Sequence, residues 1–158
     1  ASAFGRALAA RGWALVYGGG NVGLMGALAD GALSAGGEVI GVIPHKLMQR
    51  ELAHRGLSRL EVVADMAERK TRMIAISDAF VALPGGLGTL DELFEVLTLA
   101  QVGYHRKPMV VHNQAAYWDG LLAVCRSMAD SGFVHPGELD LLRSCGTIED
   151  TLDATAQD

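Results

Sequence analysis

Ala79-Phe80-Val81-Ala82-Leu83-Pro84-Gly85-Gly86-Leu87-Gly88-Thr89-Leu90-Asp91-Glu92 is the stretch on which the fold turns. Five apolar residues run without interruption into a proline and three glycines. Leu93, Phe94, Val96 and Leu97 then recur at helical spacing, so the layout is strand, glycine turn, helix. Glycines let a backbone come close to a ligand, and the first turn of a helix offers unpaired N–H groups and a partial positive charge. Such a turn suits a phosphate. Glu92 adds a carboxylate beside that anion site. Thr89-x-x-Glu92 also reads as a capping box, in which the two residues satisfy each other's backbone donors. This stretch alone leaves both readings open for Glu92.

The same alternation extends in both directions. Toward the N-terminus the pattern predicts a helix over 4–11, a strand over 13–17, a glycine turn and helix to about 35, and a strand over 38–43 closed by Pro44. A short helix and loop over 45–58, a strand over 60–63 and a helix over 66–77 complete that half. Toward the C-terminus a helix over 89–102, a strand over 108–112, a helix over 118–131 and a last short strand over 141–145 are expected. Strands that are apolar throughout, alternating with helices, call for an α/β fold. We expect a Rossmann-like, doubly wound parallel sheet with helices on both faces, in a single nucleotide-binding domain over 1–158. Ala1 falls at or inside a helix, whereas this architecture ordinarily opens on a strand, so an N-terminal strand and its loop are expected to be missing from the chain.

The 158 residues are 50% hydrophobic and 20% charged, enough for one domain with a real core. A net charge of −5 and the lack of any lysine- or arginine-rich block argue against a nucleic-acid partner. No apolar run approaches the roughly 18 residues that a membrane-spanning helix needs, and no secretory signal is visible, so no membrane partner and a cytoplasmic location are expected. Cys125 and Cys145 form no C-x-x-C pair and read as ordinary thiols of a reducing compartment. The five histidines show no metal-ligand spacing, so no metal is expected.

Gly18-x-Gly20-x-x-Gly23 after a strand matches the dinucleotide fingerprint. That fingerprint also needs an acid at the end of the second strand to hold the ribose. The second strand here ends Gly41-Val42-Ile43-Pro44, and its acid, Glu38, stands at the other end. The two glycine turns are better read as walls of one mononucleotide-sized pocket, with Gly19, Gly20 and Asn21 as candidate wall residues. Arg69 and Lys70 sit at the start of a helix that follows a strand. Four charges in six residues ordinarily make a solvated face, with Glu68 and Arg72 as an i,i+4 pair. A guanidinium on the ligand edge can equally hold a phosphate, a ribose or a carboxylate through two parallel bonds.

Asp65-Met66-x-x-Arg69-Lys70 followed by Pro84-Gly85-Gly86-x-Gly88-Thr89-x-x-Glu92 resembles the LOG ("lonely guy") family of cytokinin riboside 5′-monophosphate phosphoribohydrolases, formerly labelled lysine decarboxylase-like. Further matches are Tyr17-Gly-Gly-Gly-Asn-Val-Gly-Leu-Met-Gly26, Gly41-Val-Ile-Pro44, Arg50-Glu51-Leu52 and Gln101-Val-Gly-Tyr-His105-Arg-Lys-Pro108, in order along nearly the whole chain. The resemblance implies Arg69 and Glu92 as the catalytic pair. It implies Glu51, Lys70, Gly85, Gly86, Leu87, Gly88, Thr89, Leu90, Asp91 and Thr98 as substrate-binding residues, and a homodimer or larger assembly. Leu99 departs from the tryptophan that many members carry.

The reaction so implied is hydrolysis of the N-glycosidic bond of cytokinin riboside 5′-monophosphates, and of AMP, to free base and ribose 5-phosphate. Positive charge builds at C1′ as such a bond breaks, and a carboxylate there can stabilise it and orient or deprotonate water. No cofactor is expected. A pyridoxal phosphate decarboxylase would need a Schiff-base lysine with an acidic partner for the ring nitrogen. None of Lys46, Lys70 and Lys107 stands in such a setting. The competing class is a non-catalytic nucleotide or cofactor carrier of the same superfamily, which would have no use for the Arg69/Glu92 combination.

Overall fold

Apolar runs bounded by glycine or proline become the central strands, and amphipathic stretches become helices, in the order the sequence sets. The computed structural model describes residues 1–48 and 53–156. The chain divides into two compact units, Ala1–Ser77 and Asp78–Asp158, each built round a three-stranded parallel sheet.

The first unit runs α1 (Ser2–Ala10), β1 (Leu15–Tyr17), α2 (Gly23–Ser34), β2 (Val39–Pro44), a 3₁₀ turn (His45–Leu47), β3 (Arg59–Val63) and α3 (Met66–Ile76). Its strands lie in the order β1-β2-β3, with Leu15 opposite Val39 and Pro44 opposite Val63. All six residues of β2 are buried, as a central strand covered on both faces requires. Leu15, Tyr17, Ala29, Ala32 and Val39 form the core, with Leu8, Leu28, Leu33 and Leu57 against it. The two helices α1 and α2 cross at glycine. A Cβ on Gly5 would run into the Leu28 carbonyl, and one on Gly31 into that of Ser2.

Asp65 caps α3 by accepting the Glu68 N–H at 2.9 Å, and the Glu68 carboxylate accepts the Ala64 N–H at 2.7 Å. That double cap fixes where the helix begins, and so where Arg69 falls. Arg72 does not pair with Glu68. It makes a two-pronged bond to Glu61 on β3, at 2.6 and 3.0 Å, because Glu68 is engaged at the helix start. Those bonds hold the Glu61 carboxyl below its ordinary pKa.

The second unit runs β4 (Phe80–Ala82), α4 (Leu87–Gln101), β5 (Met109–His112), a 3₁₀ turn (Gln114–Ala116), α5 (Asp119–Asp130), a 3₁₀ stretch (Pro136–Leu141), β6 (Arg143–Cys145) and α6 (Ile148–Thr155). Its strand order is β4-β5-β6, with β5 central and wholly buried. Ala82, Leu93, Val111 and Trp118 form its core, with Leu90, Leu121, Leu122 and Leu142 around them. Helix α6 has no counterpart in the sequence reading. Thr147 caps it by accepting the Asp150 N–H at 3.1 Å. Among the described residues no helix is long and apolar enough to cross a membrane.

Candidate active site

Two glycine turns follow strands, as the sequence predicts. The first, after β1, has all three of Gly18, Gly19 and Gly20 buried and Asn21 exposed. Gly19 takes φ +79°, a region that favours glycine. The hydroxyl of Tyr17 donates to the Gly20 carbonyl at 3.0 Å, and the His54 N–H donates to the Gly19 carbonyl at 3.0 Å. Burial, and to a lesser degree Asp30, push the Tyr17 phenol up to about 12, so it stays a donor at any ordinary pH. Arg69, the fourth residue of α3, is only 6% exposed, and its guanidinium lies against Gly18. Arg69 Nη1 also contacts the Met66 sulfur at 3.6 Å. Lys70, next along α3, is half-buried.

The second turn bears on the capping reading of Thr89 and Glu92. Helix α4 begins at Leu87 with Gly86 as its N-cap, and no side chain caps it. Its first backbone bond runs from Leu90 N–H to Gly86 C=O at 3.1 Å. The N–H groups of Leu87, Gly88 and Thr89 therefore precede the helical ladder. Thr89 is the third helical residue rather than the cap, so the capping box is not formed. Its hydroxyl instead sits over Gly85, where a Cβ would collide with it. Glu92 is half-buried, three residues beyond Thr89 and on the same helix face.

The candidates on α4 divide between two faces. Leu90, Asp91 and Thr98 border an open, mainly apolar groove of about 420 Å³ with Phe94, Glu95 and Leu99. Thr89 and Glu92 do not border it. Gly86, Leu87 and Gly88 are exposed, and Gly85 is half-buried. Glu51, with its neighbours Arg50 and Leu52, lies outside the described residues.

Two supporting residues, Tyr117 and His54, escaped the sequence reading. Tyr117 donates its hydroxyl to the Gly85 carbonyl at 2.7 Å from 32 positions away. It gets there through Ala115 and Ala116, two successive left-handed alanines at φ 55° and 59°. Neither is a residue type that advertises that conformation. His54 is buried, accepting the Gly56 N–H on Nδ1 at 3.1 Å and meeting Asp30 Oδ1 through Nε2 at 2.9 Å. With Nδ1 an acceptor, the ring proton rests on Nε2 and is donated to Asp30. Among the described residues no group of three or more histidine, cysteine, aspartate or glutamate side chains is placed to hold a metal ion.

The profile of the family described as "possible lysine decarboxylase" matches residues 25–155. Cytokinin riboside 5′-monophosphate phosphoribohydrolase of Rhodococcoides fascians is 46% identical over 98% of this chain and 78% of its own length. The protein of the same name from Mycobacterium tuberculosis is 45% identical over 99% and 83%. The Arabidopsis thaliana phosphoribohydrolase LOG3 is 43% identical over 92% and 68%. Among solved structures, the molybdenum cofactor binding protein of Rippkaea orientalis superposes with a TM-score of 0.72 at 24% identity, covering 96% of this chain and 81% of that one. The molybdenum cofactor carrier protein of Chlamydomonas reinhardtii does so at 0.72 and 22% identity, covering 97% and 81%. Identity that low speaks for the fold alone.

Proposed function

This chain belongs to the LOG family, and from that premise we infer that it is a phosphoribohydrolase. It hydrolyses the N-glycosidic bond of cytokinin riboside 5′-monophosphates, releasing free base and ribose 5-phosphate. The observation that carries this is 45–46% identity, over 98–99% of the chain, to two bacterial enzymes of that name. AMP, which keeps the purine and the ribose phosphate, is proposed as a second substrate.

The roles of individual residues are part of the proposal. The substrate phosphate rests on the turn from Gly85 to Thr89, whose N–H groups open α4. One helical turn, about 5.4 Å, then brings the chain to Glu92, which faces the ribose, stabilises charge at C1′ and orients water against it. Arg69 fixes that carboxylate or a ribose hydroxyl, or assists the departing base. Glu51, Lys70, Leu90, Asp91 and Thr98 complete the substrate set, and Gly19, Gly20 and Asn21 act as pocket wall. We further propose that residues 1–158 act as one nucleotide-binding domain, that the protein works as a homodimer, and that it resides in the cytoplasm.

Chromatography of AMP and isopentenyladenosine monophosphate after incubation tests the reaction. Wild type is expected to release free base, while Glu92→Gln retains nucleotide binding and loses most turnover. Nucleotide bound but never cleaved by wild type would instead favour the carrier reading.

A further inference from the structure

The first glycine turn does more than border a ligand. Gly18 is absent from the glycines with left-handed φ, so no backbone conformation demands a glycine there. What demands it is space. A Cβ at residue 18 would overlap Arg69 Nη2 and stand 3.0 Å from Arg69 Cζ and 3.6 Å from Nε. Apart from its neighbours in sequence, those three are the atoms nearest to it. The side chain that residue 18 lacks is replaced by the head of Arg69.

We propose that Gly18 is a positioning residue, and that the turn it opens is a seat fixing where the Arg69 guanidinium points. The seat is itself pinned. Tyr17 holds the Gly20 carbonyl and the His54 N–H holds the Gly19 carbonyl. His54 is in turn anchored to Asp30 of α2 and to the Gly56 N–H. Because a peptide is planar, drawing the Gly19 carbonyl toward His54 turns the Gly20 N–H the opposite way, which sets the turn's orientation. Arg69 is thus held from two sides, by the double cap that fixes the start of α3 and by a glycine platform pinned through the Gly19 and Gly20 carbonyls. A planar guanidinium used for two-pronged binding needs such fixing, since a displacement of about 1 Å at a reacting centre can cost a hundredfold in rate.

The consequence for catalysis rests on the role proposed for Arg69, but the seat can be tested without turnover. Gly18→Ala is introduced into wild type and into Arg69→Ala, and the four proteins are compared by urea denaturation as a double-mutant cycle. The alanine is expected to lower the unfolding midpoint in wild type and to lose most of that effect once Arg69 is truncated. An equal loss in both backgrounds overturns the seat. In the hydrolysis assay, Gly18→Ala is expected to lower kcat roughly a hundredfold with KM changed far less. Unchanged kcat also overturns the proposal, because a seat that does not affect the arginine's work is only packing. If wild type cleaves no nucleotide, the functional reading fails while the stability cycle still decides the seat.

Discussion

At the scale of single residues, Thr89 and Glu92 show how far sequence can carry a site and where it stops. The pattern threonine-x-x-glutamate before an apolar run is ambiguous, because exposed Leu87 and flexible Gly88 resemble loop rather than helix. The capping reading falls only when Gly86 becomes the N-cap and the helix opens two residues before Thr89. Thr89→Val should therefore leave stability within about 0.5 kcal/mol of wild type, as at a site without a structural role. A capping threonine would lose about 1 kcal/mol, and urea denaturation separates the two. Tyr117 could not be read in the same way, since its hydroxyl reaches Gly85 across 32 positions and two left-handed alanines. Tyr117→Phe removes that one bond and should raise KM for AMP several-fold by loosening the turn proposed to hold the phosphate, about 1 kcal/mol of interaction. Steady-state kinetics with KM unaltered would remove Tyr117 from the support of the site.

At the scale of elements, strands and helices were legible wherever periodicity ran for several residues. Buried β2 and β5 were expected within a residue or so of their bounds. Helix α6 was not, because eight residues at the end of a chain give a weak period and its cap, Thr147, stands amid other polar residues. Its packing is written in a buried polar pair instead. His112 Nδ1 lies 2.8 Å from Thr151 Oγ1, and the Thr151 hydroxyl donates to the Thr147 carbonyl at 2.6 Å. With its proton committed, the hydroxyl can only accept, so His112 carries its proton on Nδ1. Burial lowers the pKa of His112 below 6.5, against a partly offsetting hydrogen bond with Gln114. A histidine harder to protonate when folded takes up less acid than the unfolded chain does as pH falls through 6.5. Stability should therefore decline below that pH and level off only under the lowered folded pKa. His112→Asn, which retains a donor toward Thr151, should flatten that slope when unfolding is followed from about pH 7 to 5.5. A slope identical to wild type would assign the acid sensitivity to other groups.

At the scale of the whole molecule, the α/β class and the family were both legible, because glycine turns, an acid-capped helix start and continuous apolar strands leave signatures within a dozen residues. What local patterns do not carry is how strands are grouped and what covers an exposed face. Helix α4 poses the second question. Its groove is lined by Leu90, Phe94 and Leu99 among polar neighbours; Leu87 (86% exposed) opens the helix, and Val102 (60%) and Tyr104 (80%) follow its end. Fifteen helical residues span about 22 Å, and a strip about 10 Å wide along them offers only some 200 Å². A stable interface needs about 800 Å² per partner, so the groove alone would not suffice. The exposed apolar residues at both ends of α4 extend it in the direction required. If this strip is where two copies meet, wild type should sediment near twice 16.6 kDa, and Leu99→Glu, by placing a charge in the groove, should shift it toward one chain. Leu99 shares its groove with Leu90, Asp91 and Thr98, which are proposed to bind substrate, so the readout for Leu99→Glu is the oligomeric state alone. A wild type that is monomeric at tens of micromolar would rule out this strip as a contact between copies.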